Sequence, residues 1–245
     1  MVGEKMNDKI QGQEGLRQGA IALLLFLLLI GGIVFNLSGQ TNWREPFPVA
    51  NLAALRDLRD TGLALPGWDN QGQARLNVGG REWSVQAAAQ RGKRTALVMI
   101  LPQWGPQEMP GVEWSDIDGF FRWNREGGRA AIAHPSLSFT TTNPPTTVQA
   151  RYFLARDTAA TKVVPRQQTV AILQWYATPT GGNPSAGWWF WQDQWAQVRR
   201  QRVPWVAVSL RFPIDPSSTL DDVEGDVLPL AQTVQEAIAQ IMLTP

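Results

Sequence analysis

The sequence predicts an α+β protein: an N-terminal single transmembrane helix followed by one mostly antiparallel sheet domain with packed helices. Three observations point there. Ala20 to Leu37 reads AIALLLFLLLIGGIVFNL without a charge, and at 1.5 Å per residue it reaches about 27 Å, close to the hydrocarbon thickness of a bilayer. Beyond it, five or more segments carry strand patterns. The helical stripes among them do not alternate regularly with the strands, so a parallel βαβ sheet is not expected.

Four divisions follow: residues 1–19 as a cytoplasmic tail, 20–37 as the anchor, 38–60 as linker and short helix, and 61–245 as an exported α+β domain. The apolar run is longer than a cleaved signal usually needs, and no small-x-small site follows it. Leu37-Ser38-Gly39 starts like a lipoprotein box, but Gln40 stands where the lipid-bearing Cys is required. Lys5, Lys9 and Arg17 are interspersed with Glu4, Asp8 and Glu14. Because the positive-inside rule counts bases and largely ignores acids, the short tail is placed in the cytoplasm and the domain on the periplasmic or exocytoplasmic side.

Thr41 to Val49 contains two prolines and reads as extended linker. Asn51 to Asp60 spaces Leu52, Leu55 and Leu58 helically. Arg75 to Gln86 is an alternating hairpin around Gly79-Gly80, with Leu76, Val78, Trp83 and Val85 toward the core. Ala96 to Leu101, ended by Pro102, is short and continuously apolar, as for a strand buried on both faces. Val148 to Leu154 and Thr169 to Tyr176 are rich in β-formers, and Thr140 to Thr147 is a loop. Trp205 to Phe212 places Val206, Val208, Leu210 and Phe212 on one face and Trp205, Ala207, Ser209 and Arg211 on the other. Between Trp188 and Gln201 the stripe Trp188, Trp191, Trp195, Val198 predicts a helix packed on the sheet through those residues. Val227 to Met242 is the last amphipathic helix, with Pro229 suited to its first turn.

Composition excludes several chemistries. The 245 residues include 12 Trp, one His and no Cys, with 22 bases against 21 acids for a net +1. No disulfide framework, thiolate metal site or cysteine nucleophile is possible, and no multi-His zinc site. Near-neutral charge does not suit a nucleic-acid binder. No glycine-rich phosphate loop appears, and neither a cofactor nor a metal is expected.

Five features remain as candidates. His134 with Ser136 would need a remote Asp to form a hydrolytic triad, but no nucleophile motif surrounds either serine. Asp116 and Asp118, two apart and followed by Gly119, suit a turn or helix cap better than an acid/base pair. Asp221, Asp222, Glu224 and Asp226 depart from the calcium-loop order and read as a solvated loop. Residues after Arg211 carry six acids and no base, whereas Lys162, Arg166, Arg199, Arg200, Arg202 and Arg211 oppose only Asp193. These blocks either compensate each other across the surface, or Arg199, Arg200 and Arg202 meet lipid headgroups or an acidic partner. Trp189 falls off the helical stripe and is expected to be exposed, for a partner, a membrane interface or a glycan.

The order of features resembles a known family. Leu65-Pro66-Gly67-Trp68, the strand into Leu101-Pro102-Gln103, Val112-Glu113-Trp114-Ser115-Asp116-Ile117, Trp175-Tyr176 and the run Trp188 to Ser209, with Val203-Pro204-Trp205-Val206-Ala207-Val208-Ser209, follow one membrane helix. The chain resembles the cyanoexosortase system-associated proteins of cyanobacteria, the B type, which are distantly similar to exosortase accessory proteins. The resemblance covers roughly residues 60–215. It implies that the chemistry belongs to a separate multi-pass cysteine transpeptidase acting on sorting signals, and it brings no catalytic residues to this chain. Related accessory proteins often carry a Cys-containing segment; with no Cys here, no thiol role is supported.

The expectation is therefore a non-enzymatic accessory protein of an exosortase protein-sorting and exopolysaccharide system. It would contact the membrane exosortase or its substrates from the exocytoplasmic side, with Trp189, Arg199, Arg200 and Arg202 as partner-binding residues. The rivals are a cell-envelope hydrolase using Asp116, Asp118 or His134, and a glycan-binding module using Trp189.

Overall fold

The computed structural model describes residues 21, 23, 25–26, 46–90, 94–125, 136–156 and 168–244. The chain divides into two compact units, Met1–Pro46 and Phe47–Pro245. In the first, Ile21, Leu23, Leu25 and Phe26 are helical; the rest of the predicted anchor, the cytoplasmic tail and linker residues 41–45 lie outside the described residues. No helix among the described residues is long and apolar enough to cross a membrane.

The second unit is α+β, as expected. Its helices are α1 (Leu52–Thr61), α2 (Glu113–Phe121), α3 (Ala186–Val198) and α4 (Leu220–Leu243). Its strands are β1 (Asp69–Val78), β2 (Arg81–Ala89), β3 (Ala96–Pro102), β4 (Asn124–Arg125), β5 (Ser136–Thr140), β6 (Thr147–Arg156), β7 (Thr169–Thr178), β8 (Gly181–Asn183) and β9 (Val206–Pro213). They form one nine-stranded sheet. The order β1-β2-β3-β9-β7-β6 is antiparallel throughout. Short β8 pairs antiparallel with β7 and parallel with β6, while β4 and β5 both pair with β6.

The hairpin turn has the form that its glycines permit. Gly79 and Gly80 have φ of 60° and 79°, the primed geometry whose twist matches two flanking strands. Val78, Trp83 and Val85 are buried and Leu76 is half-buried.

Alternation along β9 divides the core in two. Val206, Val208, Leu210 and Phe212 join Leu55 and Leu58 of α1 and Leu230, Val234 and Ile238 of α4 on one face. Ala207 and the preceding Trp205 join Met99, Ile117, Tyr176 and Trp189 on the other, beneath α2 and α3. The predicted face assignment of Val206 to Phe212 holds. Arg211 is buried on the second face, with its guanidinium 5.8 Å from the Phe121 ring, so it does not contribute to a basic surface.

Helix α4 begins earlier than expected. Asp221, Asp222, Glu224 and Asp226 are not a loop but its first two turns, started by a capping box between Thr219 and Asp222. Acidic side chains there complement the positive end of the helix dipole. Pro229 consequently lies inside the helix rather than in its first turn, where it gives up one backbone hydrogen bond. Packing offsets that loss, because Val227, Leu230, Ala231, Val234 and Ile238 are fully buried. Midway along, Gln235 Oε1 accepts Trp175 Nε1 at 2.8 Å, and its Nε2 donates to the Thr178 carbonyl at 3.1 Å. At the far end Asn51 Nδ2 donates to the Ile241 and Met242 carbonyls at 3.1 Å, tying the start of α1 to the end of α4.

Candidate functional site

Helix α3 faces the opposite way from the sequence expectation. Successive residues turn by about 100°, so Trp189 and Asp193 share one side while Trp191, Trp195 and Val198 share the other. Trp189 is 1% exposed, whereas Trp191, Trp195 and Val198 are 66%, 74% and 77% exposed. Trp188 is half-buried against the core and Phe190 is exposed. The tryptophan expected to be free is the anchor of the helix, and most of the expected core stripe is outside.

A polar clamp sets this orientation. The Asp193 carboxylate accepts Arg202 Nε on both oxygens at 2.8 Å, the Val203 N–H at 3.0 Å and Gln197 Nε2 at 2.8 Å. Arg202 Nη1 donates to the Pro106 carbonyl at 2.8 Å. The guanidinium lies 5.7 Å from the Trp189 ring, and Trp189 Nε1 donates to the Val203 carbonyl at 3.2 Å. A buried carboxylate is tolerable only when its oxygens are satisfied this fully. Arg202 is thereby a structural residue, its side chain 10% exposed. Arg199 and Arg200 remain exposed at the end of α3.

The chain enters the domain at the same place. Arg202 N–H donates to the Pro48 carbonyl at 3.1 Å, and Val49 forms a parallel bridge with Arg202. Residue 47, the first of the domain, is thus fixed close to the C-terminal end of α3.

A second buried network lies on the same sheet face. Glu113, the first residue of α2, is 1% exposed. Its carboxylate accepts the Tyr176 hydroxyl at 2.6 Å and the Gly111 N–H at 2.7 Å, and pairs with Arg81. Burial, then the adjacent carboxylate, pushes the Tyr176 phenol far above its ordinary value, so it stays a donor. These contacts join α2, β2 and β7; in the sequence Glu113 stood out only as a member of the run Val112 to Ile117.

The candidate acid pair does not converge. Both aspartates lie within α2 rather than in a turn or cap, and the helix directs them apart. Asp116 lies against Gly79, and Asp118 pairs with Arg151 at 3.6 Å. His134 lies outside the described residues; Ser136 is an exposed residue opening β5. Of the basic block, Lys162 and Arg166 also lie outside them. In the acidic block, Asp215 pairs with Arg94 at 2.6 Å, a base of neither block.

Two cavities meet at half-buried Trp68. One, of about 460 Å³, is lined by Trp68, Arg94, Phe212, Asp215, Asp222 and Asp226 among others. The other, of about 570 Å³, includes Leu58, Gly62, Leu65, Trp68 and Gln86. Asp215 is engaged by Arg94 and Asp222 by the Thr219 cap, so the carboxylates at the first are partly committed. Among the described residues, no group of three or more His, Cys, Asp or Glu side chains is arranged to hold a metal ion. No family model, curated protein or solved structure matches the chain.

Proposed function

We propose that this protein is a non-enzymatic, single-pass membrane-anchored accessory of an exosortase protein-sorting and exopolysaccharide system. Its domain lies on the exocytoplasmic side and contacts the transpeptidase or its substrates. The observation that carries this reading is the outward aromatic face of α3, held by the Asp193–Arg202 clamp beside the point where the chain enters the domain. Burying Trp191 and Trp195 is not needed for the core, so their exposure is best understood as an interaction surface. The sequence resemblance supplies the partner, and the apolar segment 20–37 supplies the tether that raises local concentration.

Internal use of two buried polar residues, Glu113 and Gln235, supports a binding rather than a chemical role. Glu113 is occupied by Tyr176 and Arg81, and Gln235 by Trp175 and a β7 carbonyl. The test is crosslinking in native membranes followed by detergent co-purification. Recovery of the exosortase is expected; repeated failure to recover it from membranes that contain both proteins contradicts the assignment.

A glycan role moves from Trp189 to Trp68, because the former is buried and the latter lines both cavities. Under this second reading Trp68→Ala abolishes retention on the exported polysaccharide while the fold is kept. Unchanged retention removes it.

A further inference from the structure

We infer that the loop joining β3 to α2, together with two arginines of α1, is a docking site for an acidic segment of another polypeptide. The site is separate from the outer face of α3 and does not depend on the anchor. It rests on a pair of cations that lack counter-charge.

Arg56 and Arg59 lie three positions apart on α1, and therefore on one side of it. Both guanidiniums converge on the exposed Trp104 ring, their central carbons 5.2 and 4.3 Å from its centre. Arg56 Nε donates to the Trp104 carbonyl at 2.6 Å, and Arg59 Nη2 donates to the Pro102 carbonyl at 3.3 Å. These acceptors are neutral, so they position the two cations without offsetting their charge. Among the described residues neither guanidinium forms an ion pair, and Arg59 Nε is buried without a hydrogen-bond partner. Burial lowers the Arg59 pKa, and Glu108 and Glu82 offset this only in part.

The nearby acids are engaged elsewhere. Asp60 and Glu82 both pair with Arg75, the latter at 3.7 Å. Glu108 Oε2 accepts the Trp104 N–H at 2.5 Å, and Asp57 lines the second cavity beside Trp68. A carboxylate from outside supplies what the pair lacks, because the planar arginine fork matches its two oxygens. The indole adds to this by holding both cations at the surface.

The neighbouring side chains favour a polypeptide over an acidic sugar. Met109 and Val112, on the same loop as Trp104, are also exposed. Such aliphatic groups offer packing to a peptide's apolar side chains but no hydrogen bond to a sugar hydroxyl. Tryptophan, methionine and arginine are the residue types that protein interfaces concentrate. The loop is also fixed in advance: Gln103 Nε2 donates to the Gly105 carbonyl at 2.9 Å, Arg202 Nη1 to the Pro106 carbonyl at 2.8 Å and Trp205 Nε1 to the Glu108 carbonyl at 3.2 Å. A partner therefore meets a preformed surface and bears little cost for ordering it.

Fluorescence anisotropy of the full-length chain in detergent tests this. The probes are a panel of short fluorescein-labelled peptides that intersperse Glu with Val, Leu or Phe, each with a counterpart carrying Gln in place of every Glu. Saturable binding of acidic peptides that weakens as salt is added is expected. Affinity should fall at least several-fold for the Gln counterparts, and equally in the Arg56→Gln/Arg59→Gln variant at unchanged Tm. No saturable binding across the panel overturns the inference, as does unchanged affinity in a folded double variant. Equal affinity for acidic and Gln peptides also overturns it, and that comparison uses the unaltered protein, so it holds even where the double variant fails to fold. Tighter binding of polygalacturonate than of any acidic peptide overturns it in favour of an acidic polysaccharide.

Discussion

Asp193 and Arg202, nine positions apart, form a buried ion pair in which one guanidinium nitrogen lies 2.8 Å from both carboxylate oxygens. The pair joins α3 to the segment entering β9 and decides which side of the helix faces the sheet. Asp193→Asn leaves Arg202 without its counter-charge and should cost about 3–5 kcal/mol, whereas replacing both residues with apolar ones should cost much less. Urea unfolding of the single and double variants measures this. Equal destabilisation by both would show that packing of Trp189, not the pair, holds α3.

The glycines separate by what surrounds them. Gly181 has φ 137°, and a Cβ there would press on the Thr147 carbonyl oxygen, a backbone atom that cannot move aside. Gly181→Ala should therefore lose more than about 2 kcal/mol. Gly225 lies within α4 with open space at its Cβ position, and Gly225→Ala should gain about 0.5–1 kcal/mol from helix propensity. Thermal unfolding should move in opposite directions for the two variants.

Gln235 is the polar junction between α4 and the sheet. Gln235→Leu keeps the volume but strands the Trp175 N–H and the Thr178 carbonyl, both buried. A loss of about 1–3 kcal/mol is expected in chemical denaturation. The compensating change, Trp175→Phe in the same background, should recover part of it.

Both tyrosines of the chain are buried, and burial, reinforced by nearby acids, raises each phenol pKa. In the unfolded chain they ionise near the ordinary value of about 10. Their folded-state protonation costs nothing below that pH, and stability falls as pH rises above it, since the unfolded state then releases protons that the folded state retains. Ultraviolet titration should show tyrosinate appearing together with loss of tertiary signal. Tyrosinate formed while the fold persists would contradict the bond that the Tyr152 hydroxyl donates to the Leu220 carbonyl at 2.9 Å and the buried bond from Tyr176 to Glu113.

Local chemistry made part of this molecule readable from sequence. Gly79-Gly80 announced its turn, and the alternation from Val206 to Phe212 announced both faces of β9, because period and turn preference depend on adjacent residues. The orientation of α3 was hidden for a physical reason. Its inner face holds Asp193, which a hydropathy pattern assigns to water, and the return of Arg202, with the Val203 N–H and Gln197, makes that burial stable. The early start of α4 had a legible signal in Thr219 and Asp222, three residues apart, together with acids in the first turn; the high charge of that stretch concealed it. The burial of Glu113 had no local signal, since its partners Arg81 and Tyr176 come from distant strands.

The most direct test of an exported domain held by one N-terminal anchor is side-specific labelling of Gln240→Cys in cells, at an exposed position on α4. With no other cysteine in the chain, a membrane-impermeant maleimide should label it in intact spheroplasts, and the labelled chain should remain with the membrane after alkaline washing. Labelling only after lysis, or release of the chain by the wash, would contradict the anchored and exported arrangement.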